Sequence, residues 1–250
     1  MTPRTFMFPF ARRAAMDGSA STVELVEARI ECSGTGLFSF SRPAGYRFAA
    51  GQYESITLAT REGEQTKPFS HCDAPGEPLS LVLTRLTGSA FKDALLALRP
   101  GDEVKMTGPH GRLTVPGGTS RAGFLVGGVG VTPAASIIGD SVLRATGLEC
   151  LMVYGNTDQS CIPLRERFAG YEASGAPVRV VHTLSRPLPG WDGESGYITA
   201  ELLRRHCDVA EPRHWFVSGP PGMVKAMLAV LTECAVPAGW VSSELFSGYE

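Results

Sequence analysis

Three apolar residues, Phe124-Leu125-Val126, run straight into Gly127-Gly128-Val129-Gly130-Val131-Thr132-Pro133, and few local patterns leave a chain so little choice. The triplet predicts a short buried strand. The glycines let the backbone turn tightly and come close to a ligand, and Pro133 suits the first turn of a following helix. A strand that delivers such a turn to a helix N-terminus creates an anion site, because unpaired N–H groups and the helix dipole both favour negative charge. The spacing is not that of the dinucleotide fingerprint with three spread glycines. Read alone, the segment is either a nucleotide site or merely a tight turn, so its surroundings must decide.

Those surroundings repeat the pattern. Strands alternate with helices from here on: Phe124–Val126 and a helix around 134–145, Cys150–Tyr154 and a helix around 164–173, Val178–Thr183 and 199–207, Trp215–Ser218 and 222–235. Such alternation predicts a parallel, doubly wound sheet whose ligands gather at the carboxyl ends of its strands. The last helix should turn Val224, Met227, Leu228 and Leu231 to the core. A second glycine-rich turn, Ser218-Gly219-Pro220-Pro221-Gly222-Met223, again follows an apolar strand. Two such turns at neighbouring strand ends would enclose a dinucleotide, whereas either alone would pass as a stiffened turn.

The first half has a different grammar. Short strands at 23–30, 36–41, 53–58, 79–84 and 103–106 are separated by turn signals such as Arg42-Pro43-Ala44-Gly45 and Arg99-Pro100-Gly101-Asp102, which predicts a small antiparallel barrel. One helix interrupts it, from Ser89 as N-cap to Leu98, with Phe91, Leu95 and Leu98 on one stripe. Pro116-Gly117-Gly118-Thr119-Ser120 is the best linker between the halves. Lys67-Pro68-Phe69-Ser70, placed after a strand, offers a cation, an aromatic ring and a hydroxyl. Gly88-Ser89 offers a helix N-terminus to the same phosphate. The plainer alternatives are a solvated Lys67, a core Phe69 and a Ser89 that only caps.

Composition closes off other classes. A net charge of −2 gives no basic face for nucleic acid, and no apolar run approaches the ~20 residues of a membrane span. The six cysteines are scattered, with no CxxC and no cluster spacing, so reduced thiols in a cytoplasmic protein are the simplest reading and no metal site is expected. Residues 1–20 carry Arg4, Arg12 and Arg13 and no acid before Asp17. They read as a flexible tail.

Taken in order, the motifs resemble the ferredoxin–NAD(P)H reductase superfamily, and within it the bacterial flavin-binding oxidoreductases without a fused iron–sulfur domain. The similarity runs from Val23 to the C-terminus. It is carried by Gly51-Gln52-Tyr53, Lys67–Ser70, Gly88-Ser89-Ala90-Phe91-Lys92, Gly108-Pro109-His110-Gly111, the turns at Gly127–Pro133 and Gly219–Met223, and Glu244-Leu245-Phe246-Ser247-Gly248-Tyr249. Seven motifs in the right order are far more specific than any one.

The resemblance implies a six-stranded antiparallel flavin-binding barrel over 21–117 and a Rossmann-like NAD(P)-binding domain over 120–250. It implies FAD, with FMN as the alternative. The family's arginine–x–aromatic–serine motif falls on Lys67, Pro68, Phe69 and Ser70, followed by His71. Lys67 would then neutralise flavin phosphate, Phe69 lie against the flavin and Ser70 hydrogen-bond near its N5, with Gly88 and Ser89 at the phosphate. Lysine lacks arginine's bidentate fork, and phenylalanine lacks the hydroxyl of the more usual tyrosine. Gly127, Gly128, Gly130, Thr132, Pro133, Gly219, Pro220 and Met223 would hold the nicotinamide nucleotide. Ser218 stands where many relatives have a cysteine beside the nicotinamide. Glu244 and Phe246 match the family's terminal acid and aromatic. Ser70, Ser218 and Glu244 are thus the candidate catalytic residues.

Asp158 follows the second strand of this half, and the nearest cations, Arg165 and Arg167, come a helical turn or more later. A carboxylate there disfavours a 2′-phosphate, which points to NADH over NADPH. The implied activity is hydride transfer from the nicotinamide to flavin and electron delivery to a separate acceptor, such as a ferredoxin, flavodoxin or oxygenase component. Two alternatives stay open: a nucleotide-binding module with little turnover, and an electron-transfer subunit of a larger dehydrogenase.

Overall fold

The computed structural model describes residues 20–246; the expected tail over 1–20 lies almost wholly outside them, as do Ser247-Gly248-Tyr249. Six antiparallel strands come first: β1 (Ser21–Cys32), β2 (Thr35–Ser41), β3 (Tyr53–Thr60), β4 (Gly63–Ser70), β5 (Leu79–Arg85) and β6 (Glu103–His110). Their order is β4-β3-β6-β1-β2-β5. Inward side chains of all six, among them Leu25, Phe40, Ile56, Phe69, Val82 and Met106, meet in one buried cluster, so the sheet wraps a single core. Helix α1 (Ala90–Ala97) adds Phe91 and Leu95 to that cluster, and Ser89 caps it by accepting from the Lys92 N–H.

Strand β4 is missing from the expected strands. It is an edge strand whose first six residues are largely exposed and polar, so it lacks the alternation that reveals half-buried strands. The edge also explains how Pro68, which has no N–H to give, fits inside it. The segment Lys67–Ser70 therefore ends a strand and does not follow one.

A parallel sheet follows: β7 (Arg121–Gly127), β8 (Glu149–Asn156), β9 (Val178–Leu184), β10 (Glu194–Ser195), β11 (His214–Gly219) and β12 (Val241–Leu245), in the order β10-β9-β8-β7-β11-β12. Four helices connect it: α2 (Thr132–Leu143), α3 (Arg165–Ala173), α4 (Ala200–His206) and α5 (Pro221–Glu233). Phe124 and Val126 pack on one face with Ala134, Ile138 and Phe168. Leu125, between them, packs on the other with Leu203, Val224 and Leu231. A strand covered on both faces has to be apolar throughout, which is why β7 reads as an unbroken run. Leu228 departs from expectation: it is 36% exposed, because its stripe on α5 extends past the groove filled by Val224, Met227 and Leu231. The short β10 and the terminal β12 carry too little periodicity to be read from sequence.

The two sheets share a core. Leu37, Cys72, Leu83 and Leu113 from the first half are buried with Ile137, Ile138 and Phe216 of the second. Arg167 reaches back to the Cys72 carbonyl at 2.6 Å and to Glu77 at 3.1 Å. A further link corrects the expectation of reduced thiols. Cys32, at the end of β1, is disulfide-bonded to Cys161, after β8, with an S–S distance of 1.98 Å. A separation of 129 residues hides such a pair from any reading of local spacing.

Candidate active site

Strand order in the second sheet reverses at β7, the first strand laid down, whose neighbours are β8 and β11. That switch point is where open α/β sheets bind ligands, and both glycine-rich turns lie there. After Gly127 the chain makes a 3-10 turn, Gly128–Val131, and enters α2 with Pro133 in its first turn. Gly128 has φ +52° and open space where a Cβ would be, a left-handed conformation that suits glycine. At the second turn, Pro220 leads from Gly219 into α5.

The remaining glycines are required by contact. A Cβ on Gly127 would stand 2.2 Å from Met223 Sδ, and one on Gly130 would stand 2.5 Å from the Ser218 carbonyl oxygen and 2.6 Å from Gly219 Cα. Ser218 Oγ donates to the Gly130 carbonyl at 2.6 Å, and Tyr154 donates to the Gly128 carbonyl at 2.9 Å. The turns thus brace each other. Of the residues expected to hold nucleotide, Gly127, Gly128, Pro220 and Met223 line a cavity of about 710 Å³. Gly130, Thr132, Pro133 and Gly219 are buried behind it, and Thr132 spends its hydroxyl on the Val129 carbonyl. Ser218 likewise faces Gly130 and is 1% exposed.

The cavity runs on past the end of β8 to Asn156, Asp158 and Ser160 and is closed on the barrel side by Ser33, Thr35 and Arg85. Hydrogen bonds from the Ser160 hydroxyl and N–H hold the Asp158 carboxyl below the usual range, so it is ionised at neutral pH. The two cations that follow it in sequence are engaged elsewhere: Arg165 stacks over Trp191 and Arg167 binds across the shared core. Arg85 is exposed and is a further cation lining this cavity. It sits at the end of β5, and its place in this cavity depends on how the two sheets are set together.

On the barrel side the end of β4 meets the end of β12. Ser70 Oγ donates to Glu244 Oε2 at 3.2 Å, joining residues 174 positions apart. Glu244 in turn lies opposite Ser218 in the β11–β12 ladder, so the three candidate catalytic residues converge. Burial raises the Glu244 carboxyl, and the Ser70 hydrogen bond tempers the rise. Phe246 fixes this end of the chain by donating its N–H to the Gly219 carbonyl at 2.9 Å.

Lys67 is exposed, as are Gly88 and Ser89 in the loop before α1, where Gly88 has φ +71°. A second lysine, named in the sequence motif but given no role there, lies close enough to Lys67 to feel its charge. Lys92 is buried, donates to Thr84 Oγ1, and places Nζ 4.5 Å from the Phe69 ring centre. Burial, and then the charge of Lys67, push its amine down to about 8. Two neighbouring ammonium groups at a helix N-terminus fit an anionic group. Phe69 lies in the barrel core, its ring 5.8 Å from that of Phe91.

His71 does not line the cavity. It is fully buried, stacked on Phe48 at 3.7 Å, with Nδ1 3.2 Å from Asp73 and Nε2 3.5 Å from Glu54. Arg42 closes the group by binding Asp73. Neither Glu54 carboxylate oxygen has a hydrogen-bond partner, and burial raises its pKa from 4.5 to about 7. A raised carboxylate stabilises the fold below its unfolded value, and that contribution is lost as pH climbs through the folded one. Glu54→Gln should therefore flatten the pH dependence of stability, gaining a few degrees of Tm over the native protein at pH 8 relative to pH 5. Thermal melts of both proteins at the two pH values check this; parallel curves would rule it out.

Residues 124–228 match the family model for the oxidoreductase NAD-binding domain. The chain is 30% identical to ferredoxin–NADP reductase B of Sorangium cellulosum over 219 residues, 83% of this chain and 90% of that one. It is also 30% identical to NADH-cytochrome b5 reductase 1 of Aspergillus terreus over 194 residues, 71% of this chain and 64% of that one. Among solved structures, the FAD/NAD-binding domain of the nitric oxide dioxygenase of Vibrio cholerae superposes with a TM-score of 0.81 at 17% identity, covering 90% of this chain and 98% of that one.

Proposed function

Since the chain belongs to the ferredoxin–NAD(P)H reductase superfamily of flavin-dependent oxidoreductases, we propose that it is an FAD-dependent NADH reductase serving a separate electron acceptor. On this reading residues 21–117 are the flavin-binding domain and 120–250 the nucleotide-binding domain. The observation that carries it is the Ser70–Glu244 hydrogen bond, which joins the expected flavin strand to the expected nucleotide sheet at one point. The flavin supplies the chemistry, accepting two electrons as hydride and releasing them singly.

The chain supplies binding and orientation. Lys67 and Lys92, with the N-terminus of α1, hold the flavin phosphate, while Ser70 orients the ring edge. Gly127 and Gly128 let the nucleotide approach the backbone, and Arg85 meets its pyrophosphate from the barrel side. Ser218 acts as a brace that keeps both turns in place. Ionised Asp158 at the far end of the cavity repels a 2′-phosphate, which supports NADH. The relatives are named for ferredoxin and cytochrome b5, and a small electron-transfer protein of that kind, or a flavodoxin or oxygenase component, is the proposed acceptor. Among the described residues no helix is long and apolar enough to cross a membrane, and a cytoplasmic setting suits this reading.

The test is a visible spectrum of the purified protein. Flavin absorption that bleaches on adding NADH is expected, with a smaller catalytic efficiency for NADPH; protein that stays colourless after reconstitution with FAD or FMN would refute the reading. Lys67→Ala should shed flavin on dialysis while the parallel sheet stays folded by circular dichroism, and full retention would remove Lys67 from the phosphate site. One observation favours a second reading, a nucleotide-binding module with little turnover. Phe69 is packed against Phe91 and Lys92 in the core, and the same spectrum decides between the two.

A further inference from the structure

The Cys32–Cys161 bond ties together two segments that line the cavity at the switch point. Cys32 ends β1 on the barrel, and Cys161 belongs to the loop after β8 that carries Thr157, Asp158 and Ser160 into the cavity wall. The hairpin that follows Cys32 also lines the cavity, through Ser33 and Thr35. Among the described residues the polar ties between these segments are two: Glu31 Oε1 accepts from the Leu164 N–H at 3.1 Å, and the Thr35 hydroxyl lies 3.6 Å from Cys161 Sγ.

We propose that Cys32 and Cys161 are a redox-modification site, opened by dithiol reductants, that sets the affinity of the cavity for nicotinamide nucleotide. Both cysteines are partly exposed, and Cys161 opens onto the cavity, so a small dithiol or a dithiol protein can reach the bond. A thiolate of the reductant attacks one sulfur and a second exchange releases the reductant as its own disulfide. Two electrons and two protons pass to the protein, leaving two thiols. The chain's other cysteines are poor competitors. Cys72, Cys150 and Cys234 are buried, Cys207 is half-buried, and burial raises all four thiols.

The direction follows from the open cavity. It stands at about 710 Å³ with the bond in place, so the bridged form is the one ready to bind. Reduction frees the loop from 157 to 163 from the hairpin, and bound nucleotide must then order it again. This rests on the reading of the cavity as the nicotinamide nucleotide site.

The experiment measures NAD⁺ binding to the flavin-loaded protein by calorimetry, after equilibration with oxidised glutathione or with dithiothreitol, alongside peptide mapping of both samples. Reduction should weaken NAD⁺ binding about fivefold or more, with the Cys32–Cys161 cross-linked peptide present only in the oxidised sample. Cys32→Ser and Cys161→Ser should each bind equally in both buffers, with the weaker affinity. Equal affinities for the two native samples, or free Cys32 and Cys161 after oxidised glutathione, would overturn the switch and leave the reductase reading standing. Failure of both native forms, oxidised and reduced alike, to bind NAD⁺ would overturn the switch and the reductase reading together. Mapping of the native chain does not depend on the variants folding.

Discussion

Replacing Glu244 by alanine should slow flavin reduction by NADH on the order of 10²-fold, the lower range for loss of a positioned acid–base group, with much less change in nucleotide affinity. Glu244 is held where β12 meets β4, half-buried, and its partner is the Ser70 hydroxyl. Removing it leaves Ser70 without that acceptor and opens the junction between the two sheets. The cavity residues Gly127, Gly128 and Met223 belong to other elements, the end of β7, the turn after it and α5, and remain. Stopped-flow bleaching at saturating NADH reports the chemical step, and its concentration dependence reports binding. Glu244→Gln separates two origins of the effect. An amide can still accept from Ser70, so a purely orienting role is largely rescued, whereas a role in holding a proton is not. A Glu244→Ala protein that bleaches at the native rate would remove the pair from the chemistry.

Gly130→Ala should destabilise the fold by about 1–3 kcal/mol, the usual cost of forcing an extra methyl into a packed interior. For a chain of this size that lowers Tm by about 2–4 °C per kcal/mol. The added Cβ would meet the Ser218 carbonyl oxygen at 2.5 Å and Gly219 Cα at 2.6 Å. Both are backbone atoms of β11, so no side chain can swing aside. Relief requires the two turns to separate, which also breaks the Ser218–Gly130 hydrogen bond and shifts Gly127 relative to Met223. Nucleotide affinity should fall with stability. Gly117→Ala is the control: it has open space, and its φ is not left-handed, so the melt should be unchanged. A Gly130→Ala protein as stable as the control would show that the bracing is not tight.

How much was legible depended on whether the signal was local. Strand β7 announced itself because burial on both faces makes its residues uniformly apolar, and the turn after it because Gly128 is left-handed. Ser89 was readable as a cap, since an N-cap acts within three residues. Strand β4 was not, because an exposed edge imposes no apolar alternation. Lys92 was passed over because it sits on the buried stripe of α1, where a lysine has no periodic signature. Arg85 carried no local signal for the cavity, because the other residues lining it there come mostly from the second sheet.

Residue order alone therefore determined the two-part fold, its strand–turn–helix punctuation and the two glycine turns, since propensity, periodicity and backbone freedom all act over a few residues. The tertiary structure decided which of those residues face the cavity and which merely brace it, as with Ser218 and Gly130. It also decided that Ser70 would meet Glu244, that His71 would join a buried charge cluster and that Cys32 would bond Cys161. Those outcomes depend on distances between segments that periodicity and propensity do not relate, and only the packing within and between the two sheets sets them.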